Sequence, residues 1–422
     1  MPSREDIYRL RELGKRLMEI AGLPVQRHNR SLWTALNDLK MIRPVVHSRD
    51  YPLYMLEYED ELTAVIDYKT EPFLNQIETS ILLKLYEWKH LRLDRVIETH
   101  IDCPACYTDS GFFTGIEPQA ARSEKERYEK AVDYEPQIVT EDDLDKIVTP
   151  SVYFDKEATD KRFSLLSEIF DGVMPVRLFG RCNFSLALMD KIMTWTGIDE
   201  GLTMLHTNPG LIHMAAERYV DAIISQIRQY EDLGLLSSNN GPQNIGSNGY
   251  GYTAGLPSPP DGGIGAAIGD IWGESRDQIF TSVSPAMTLE FALKHEMKWA
   301  ELFPIYSYGC CERLDQKLDY ITTCFPNLRK ISCSPYSNLE VMMERLGKDY
   351  VICFKPNSNY LAGPKPEMDL LRQEILNACK LVKKYGANLE INMKTMINLG
   401  GEPQRLWEWC EMASETVKAY FN

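Results

Sequence analysis

Short apolar runs alternate with helical stretches along most of this chain, and this alternation limits the possible folds more than any other sequence feature. Runs such as Tyr350–Phe354 and Leu389–Met393 have the length of buried strands, whereas Glu367–Tyr385 between them has apolar residues at three- and four-residue spacing. Strands that alternate with helices are typical of βαβ units, in which a helix returns the chain to a parallel strand. The pattern therefore predicts an α/β protein with a parallel sheet.

Eight apolar runs qualify as strands, and most of them precede a helical pattern. They are Arg95–Thr99, Pro175–Phe179, Leu233–Ser237, Ala266–Ile271, Ile305–Tyr308, Lys330–Ser332, Tyr350–Phe354 and Leu389–Met393. Eight such units predict a (β/α)₈ TIM barrel with long strand-to-helix loops.

The barrel is expected to occupy residues 95–422 as one compact unit, and residues 1–94 to form an N-terminal helical arm. The arm is predicted from apolar residues at helical spacing in 7–20 and in 77–91. Two insertions interrupt the barrel. Residues 104–165 are acidic and irregular, and 238–265 are rich in Gly, Asn, Ser and Pro, which favours a lid over the barrel mouth.

The 422 residues carry a net charge of −15, which argues against a nucleic-acid partner and against a polybasic membrane anchor. The chain shows no apolar signal segment and no run long enough to span a bilayer, so a cytoplasmic protein is expected. In that compartment the ten cysteines are expected to be reduced, as core residues, metal ligands or reactive thiols.

Catalytic residues of such barrels lie where the strands end. The strongest cluster follows the fifth predicted strand, where Cys310, Cys311 and Glu312 are adjacent. Two thiols and a carboxylate suit a soft divalent metal such as zinc, and Glu390 is a candidate to complete the ligand set. The alternative is that the two cysteines are small residues packed beneath the loop, since neighbouring side chains in a strand point in opposite directions.

Other polar residues near the strand ends are candidates to bind substrate. Arg177 lies in an apolar run, so it is expected either to bind a substrate carboxylate or to form a structural ion pair. Lys355 and Lys394 are candidates to neutralise an anionic group or to be solvated loop lysines. The remaining candidates are two aromatic side chains suited to stacking, two amides and one carboxylate: Trp272, Tyr336, Gln278, Asn239 and Asp270.

The spacing of Cys103 and Cys106 is that of a metal or redox pair, and whether they take part is left open. The chain has no dinucleotide-binding glycine motif, no phosphate-binding loop and no nucleophile-elbow serine. Nucleotide-dependent and serine-hydrolase chemistry are therefore disfavoured.

Several motifs, in this order, resemble the uroporphyrinogen-decarboxylase-like superfamily over about residues 90–420. They run from residues 270–274 and 284–291 through Tyr308-Gly309-Cys310-Cys311-Glu312 to 326–335 and 349–357. The resemblance implies a (β/α)₈ barrel and either of two chemistries, decarboxylation of a tetrapyrrole or methyl transfer to or from a corrinoid protein or coenzyme M. The arginine- and methionine-rich motif of the decarboxylases has no counterpart here. The resemblance places Cys310 at a zinc-ligand position of the methyltransferases, but Tyr308 stands at their histidine position and 389–395 contain no cysteine.

The leading functional hypothesis is a methyltransferase that moves a methyl group from a small methylated compound, a methoxylated aromatic or a methylamine, to a corrinoid protein. Cobalamin is then expected on the partner protein, and zinc or an acid is expected to activate the leaving group. The predicted catalytic side chains are Glu312, Asp270 and Tyr308, and a homodimer is left open. One alternative is a cofactor-free decarboxylase acting on a different acid, and another is a non-catalytic barrel that binds a tetrapyrrole or a partner protein.

Overall fold

Seven strands form one parallel sheet at the centre of the molecule. A computed structural model describes residues 2–50, 63–114, 134–396 and 399–421. Within these residues the sheet order is β1-β11-β10-β9-β8-β7-β6, β2 pairs in parallel with β5, and β3 pairs with β4 in an antiparallel hairpin. The strands are β1 (Val45–Ser48), β2 (Ile101–Pro104), β3 (Tyr107–Asp109), β4 (Val152–Phe154), β5 (Val176–Phe179), β6 (Ser185–Leu186), β7 (Trp272–Ser275), β8 (Ile305–Tyr308), β9 (Leu328–Cys333), β10 (Val351–Phe354) and β11 (Asn388–Met393). The predicted α/β class with a parallel sheet is confirmed.

Fourteen helices within the described ranges connect and surround these strands. They are α1 (Arg4–Ala21), α2 (Pro24–Asn37), α3 (Pro72–His90), α4 (Lys156–Phe170), α5 (Leu188–Thr196), α6 (Ile198–Thr207), α7 (Pro209–Asp232), α8 (Pro285–Thr288), α9 (Lys294–Ala300), α10 (Leu318–Cys324), α11 (Leu339–Leu346), α12 (Asn359–Ala362), α13 (Met368–Tyr385) and α14 (Gln404–Phe421). Ser3 and Asp6 form a reciprocal capping box at the start of α1, which satisfies free amides of its first turn. None of the helices in these ranges combines the length and the apolar character that a bilayer crossing requires.

The predicted strands agree with the structure from β8 to β11 and at β5, but not elsewhere. The predicted strand 266–271 begins too early, because β7 starts only at Trp272 and a 3₁₀ turn precedes it. Around Leu236 only a single parallel bridge forms, to Arg181. Residues 95–99 form no strand, and next to them Asp94 bonds to Val46 of β1 through both its carboxylate, at 2.8 Å, and its backbone amide, at 3.1 Å.

Strand pairing among the described residues does not run around a full circle. The seven-stranded sheet ends at β1 on one side and at β6 on the other, and the β2–β5 pair is a separate sheet. The segment after β5 leads from the β2–β5 pair to the seven-stranded sheet. Along it, Arg181 forms a bridge to Leu236, and Ser185 of β6 pairs with Glu274 of β7. The structure is therefore barrel-like, and a closed eight-stranded ring is not shown.

Residues 1–94 contain α1–α3 as predicted, but they also contain β1, which pairs with β11 at the edge of the central sheet. The division of the chain at residue 94 stays a prediction. The insertion at 104–165 lies partly outside the described residues, and its described parts include the β3–β4 hairpin and the start of α4.

The first part of the Gly- and Asn-rich segment predicted as a lid, residues 238–253, is instead mostly buried against the sheet, whereas most of 254–262 is exposed or half-exposed. Ile245, Ser247, Asn248 and Tyr250 are all buried. Asn248 donates to Ser307 Oγ of β8 and accepts from Ser332 Oγ of β9, each at 2.7 Å. A segment without regular structure can be buried here because its polar groups bond to strand residues rather than to water.

Gly249 tests this packing, because a Cβ added at Gly249 would collide with the Trp33 ring and the Glu390 carboxylate. We expect Gly249→Ala to lower the free energy of unfolding by about 1–3 kcal/mol, measured by urea denaturation. Gly262→Ala is the matched control in the same segment, because nothing lies within 4 Å of its added Cβ. Equal stability of the two variants would contradict the buried placement of residue 249.

Candidate functional site

Three strands of the sheet, β8, β10 and β11, bring predicted polar residues together where they end. Cys310 and Cys311 follow β8, Lys355 directly follows β10, and Lys394 directly follows β11. Because these strands are parallel, their carboxyl ends lie on the same edge of the sheet, which is where α/β proteins usually bind ligands.

The turn after β8 is built on a glycine and a carboxylate. Gly309 has a φ of +96°, and a Cβ at this position would collide with Leu314. The Cys310 amide donates to Glu312 Oε2 at 2.7 Å, which closes the turn. The sequence Gly-Cys-Cys-Glu therefore fixes the direction of the two thiols locally, and Glu312 is a structural part of that turn.

The Cys310 sulfur lies among polar and positively charged groups. Lys394 Nζ donates to Cys310 Sγ at 3.2 Å and to Ser247 Oγ at 3.0 Å. Cys310 Sγ donates to the side-chain oxygen of Gln278 at 3.2 Å, and Cys311 Sγ lies 3.5 Å from Cys310 Sγ. The Lys394 ammonium favours a negatively charged sulfur, whereas the Gln278 oxygen is a hydrogen-bond acceptor.

A second lysine adds positive charge below the turn. Lys355 Nζ donates to the Cys310 carbonyl at 2.5 Å and to Ser332 Oγ at 2.7 Å, and its side chain is buried. The predicted role of Lys355 as a ligand for a substrate anion stays a prediction, but its ammonium already supports the thiol turn.

The two adjacent thiols differ in acidity. The hydrogen bond between the two thiols, together with the charges of Lys355 and Lys394, outweighs burial and lowers the pKa of Cys310 to about 4. The same hydrogen bond, with burial and the Cys310 charge, raises the pKa of Cys311 far above its ordinary value. The surroundings therefore favour a thiolate on Cys310 and a thiol on Cys311.

Buried carboxyl groups lie beneath this pair. Burial, and then the Cys310 charge, raises the pKa of Glu312 to about 7. Burial and the charge of Asp190 raise the pKa of Asp277 to about 7 as well, and the Tyr308 hydroxyl donates to Asp277 Oδ2 at 3.5 Å. Carboxyl groups with such pKa values are partly protonated at neutral pH and can serve as acids.

The donor set at the thiols does not fit a zinc ion. Zinc takes about four ligands, mostly thiolate, imidazole or carboxylate. Within the described ranges no three such side chains converge as a metal site. The ammonium of Lys394 lies in direct contact with Cys310 Sγ, where it repels a second cation.

Glu390, the predicted third metal ligand, lies in a different buried cluster. Its carboxylate accepts from Lys330 Nζ at 2.8 Å, from the Gly249 amide at 2.5 Å and from Cys353 Sγ at 2.9 Å. Lys330 also lies over the rings of Trp33 and Trp272, at 5.5 and 5.8 Å from their centroids. The structure does not bring Glu390 to Cys310 and Cys311.

Two further candidates lie near a polar cleft of about 430 Å³ that is not lined by the two thiols. Arg177 lines this cleft and pairs with Asp102 at 3.1 Å. Of the two roles expected for Arg177, this contact is the structural ion pair. His100 Nε2 approaches the same Asp102 oxygen at 3.3 Å. Asn239 donates to the Cys182 and Trp272 carbonyls and thereby joins two strand segments.

The remaining predicted side chains lie apart from the thiol turn. Asp270 precedes β7 and caps a 3₁₀ turn, because the strand begins later than predicted. The Trp272 ring is buried and donates to the Gly251 carbonyl at 2.8 Å, and Tyr336 is exposed to solvent. Of the Cys103 and Cys106 pair, Cys103 is buried in β2, where burial raises its pKa to about 11.

Two residues at the thiol turn were not identified from sequence, namely Asp277 and Ser247. Asp277 follows the end of β7 and is recognisable once the strand is placed at 272–275. Ser247 belongs to the segment predicted as a lid, and no local sequence signal places it beside a lysine of β11.

No family model matches this chain, and no curated protein matches it. Its fold is similar to that of a solved structure described as a methyltransferase from Methanosarcina mazei, with a TM-score of 0.46 and 11% sequence identity. The match covers 93% of this chain and 99% of the other. A likeness at this level carries no information about activity.

Alkylation of Cys310 should depend little on pH. With a pKa of about 4, its reaction with a small neutral reagent such as iodoacetamide should be nearly constant between pH 6 and pH 8. An ordinary thiol, with a pKa of about 8.5, slows about tenfold per unit in this range. Lys394→Met removes a positive charge, so the pKa of Cys310 should rise and alkylation at pH 6 should slow. Peptide mass spectrometry provides the rates, and an ordinary pH profile for wild-type Cys310 would contradict the thiolate.

The buried pair of Lys330 and Glu390 should be strongly coupled. Lys330→Met leaves a buried carboxylate unpaired and should lower the free energy of unfolding by about 3–5 kcal/mol. Adding Glu390→Gln should recover part of that loss, because a neutral amide still accepts from Gly249. Lys156→Met, in an exposed pair with Asp160, is the control and should cost about 0–1 kcal/mol. Additive losses in the double variant would rule out this coupling.

Proposed function

We propose that this chain is a methyltransferase in which the Cys310 thiolate accepts the methyl group from a small methylated substrate. One observation carries the proposal: the Cys310 sulfur lies at the carboxyl edge of a parallel sheet, with the Lys394 ammonium 3.2 Å from it. Thiolates displace carbon-bound leaving groups readily, and lysine charges keep this one ionised at neutral pH. The motif at residues 308–312, whose resemblance to methyltransferases is described above, supports the choice of a methyl group.

In the proposed transfer, one bond forms and one bond breaks at the methyl carbon. The Cys310 sulfur forms a bond to the methyl carbon while the bond between that carbon and the leaving oxygen or nitrogen breaks. The leaving atom takes the bonding electrons and receives a proton, which we assign to Glu312, a partly protonated acid of the same turn. The products are a demethylated alcohol or amine, a methyl thioether at residue 310 and the Glu312 carboxylate.

The methyl group then passes to a second acceptor, which restores the thiolate because sulfur keeps both electrons of its broken bond to carbon. A reduced corrinoid on a partner protein is the proposed acceptor, and a methoxylated aromatic or a methylamine is the proposed donor. The scaffold would be the closed (β/α)₈ barrel expected from the sequence. A reducing compartment such as the cytoplasm suits an enzyme with ten free thiols.

No specific observation favours the decarboxylase alternative. A decarboxylase needs a cation for its substrate carboxylate, but the guanidinium of Arg177 already bonds to Asp102 through two nitrogens, at 3.1 and 3.3 Å. It also needs a proton donor, but Asp277 and Tyr308 bond to each other beneath the thiol turn.

The test uses free cobalamin, reduced to the Co(I) state, as the methyl acceptor and a panel of methoxylated aromatics and methylamines as donors. Wild-type protein should produce methylcobalamin, followed by its absorbance. Cys310→Ser should lower the rate by at least about a thousandfold, because the nucleophile is removed. Glu312→Gln should lower it by about 10²–10⁴-fold if Glu312 supplies the proton.

Cys106→Ser is the matched control, since Cys106 is a partly exposed thiol with no described contact to the Cys310 turn, and its rate should equal that of wild type. Omitting the acceptor should leave a methyl group on the Cys310 peptide, seen as added mass. Methylcobalamin formation by folded Cys310→Ser at the wild-type rate would refute the thiolate mechanism. Release of CO₂ without demethylation would refute methyl transfer altogether.

A further inference from the structure

We propose that Cys310 and Cys311 form a peroxide-reactive dithiol that closes reversibly into a disulfide between neighbouring residues. The inference goes beyond methyl transfer and does not depend on it, because it needs only the two thiols and an oxidant. Hydroperoxides are the oxidant class that the site should take.

The two sulfurs are already close. Their separation is 3.5 Å, and a disulfide bond is about 2.05 Å long, so the sulfurs must approach by about 1.5 Å. Glycine precedes the pair, and Glu312 holds the turn through the Cys310 amide rather than through either sulfur. Both side chains can therefore rotate without breaking that hydrogen bond.

The pair also divides the two roles that peroxide chemistry requires. Cys310 is the nucleophile, because Lys394 contacts its sulfur and Lys355 holds its carbonyl. Cys311 is the resolving thiol, and it is partly exposed, with its sulfur 3.7 Å from Thr395 Oγ1 at the surface. A small oxidant can therefore reach the site from the Cys311 side, and low-pKa thiols beside a resolving cysteine are typical of redox-sensitive sites.

The chemistry balances with one peroxide. The Cys310 thiolate attacks one peroxide oxygen, the O–O bond breaks, and the products are a sulfenic acid on Cys310 and hydroxide. The Cys311 sulfur then attacks the Cys310 sulfur, the S–O bond breaks, and the leaving hydroxide takes the proton from Cys311 to form water. The thiolate and the thiol together lose two electrons and one proton, and hydrogen peroxide is reduced to one hydroxide and one water.

Such a disulfide should be easy to reduce. Neighbouring Cα atoms are about 3.8 Å apart, which is shorter than the roughly 4.4–6.8 Å between most disulfide-linked residues. A strained disulfide has a higher reduction potential than a structural one. Oxidation also removes the negative charge that Lys394 contacts, so restoring the thiolate regains that contact. The bond is therefore suited to reversible modification that blocks Cys310 temporarily.

The experiment treats the full chain with hydrogen peroxide and maps the peptide that contains residues 310 and 311 by mass spectrometry. We expect this peptide to lose about 2 Da, for two hydrogens, and to recover its mass with dithiothreitol. In Cys311→Ser the sulfenic acid should persist on Cys310 and be trapped by dimedone. Cys106→Ser should react as wild type does, and circular dichroism checks that each variant is folded.

The proposal is overturned if wild-type Cys310 is oxidised directly to the sulfinic acid, or if peroxide leaves the peptide unchanged. It is also overturned if folded Cys311→Ser yields no dimedone adduct at Cys310. The mass measurement needs no methyl donor. If the disulfide forms but no methyl transfer is found, this inference stands and the proposed function is rejected. If methyl transfer is found but no disulfide forms, only the disulfide is rejected.

Discussion

A buried ion pair links two strands of the central sheet, and the neighbouring segments pack around this pair. Lys330 of β9 and Glu390 of β11 are both fully buried, and two such charges remain ionised only when they are paired and hydrogen-bonded. The pairing strand between them, β10, contributes the Cys353 thiol as a further donor. The Gly249 amide also donates to the Glu390 carboxylate, so a glycine-containing backbone must approach the sheet closely at this point. This requirement explains why a segment without regular structure fills the interior, where a lid was expected to lie outside.

From this pair, polar contacts continue in layers toward the carboxyl ends of the strands. Asn248, next to Gly249, joins Ser307 and Ser332, and Ser332 accepts from Lys355 beneath the Cys310 turn. Ser247 accepts from Lys394, which contacts the Cys310 sulfur. The segment that completes the buried ion pair therefore also positions the two lysines that ionise the thiol. Stability of the interior and acidity of Cys310 are thus coupled through three consecutive residues, 247–249.

The sequence predicted those parts of the fold that depend on local pattern. Strands β8–β11 are buried apolar runs followed by amphipathic helices, and their periodicity identified them together with the cysteine pair and Lys355 at their ends. Strand β1 was missed because it is short and lies between helices, and its place in the sheet depends on pairing with residues more than three hundred positions away. The lid was mispredicted because glycine and asparagine indicate irregular backbone but not whether that backbone is buried. The local sequence pattern could not predict the contacts of Glu390 either, because its partners come from β9, β10 and the buried segment.

In the proposed mechanism, the charges around Cys310 favour lysine over a metal ion as the group that keeps the thiol ionised. The thiolate and Asp50, which lies 3.7 Å from Lys394, together balance the positive charges of Lys394 and Lys355. Glu312 is then not needed as a counter-ion, and burial can hold it partly protonated at neutral pH. A divalent cation at the same sulfur would add two positive charges, displace Lys394 and favour the Glu312 carboxylate, which would remove the acid. The lysine arrangement therefore keeps a nucleophile and a proton donor side by side, and a bound metal ion would retain only the first.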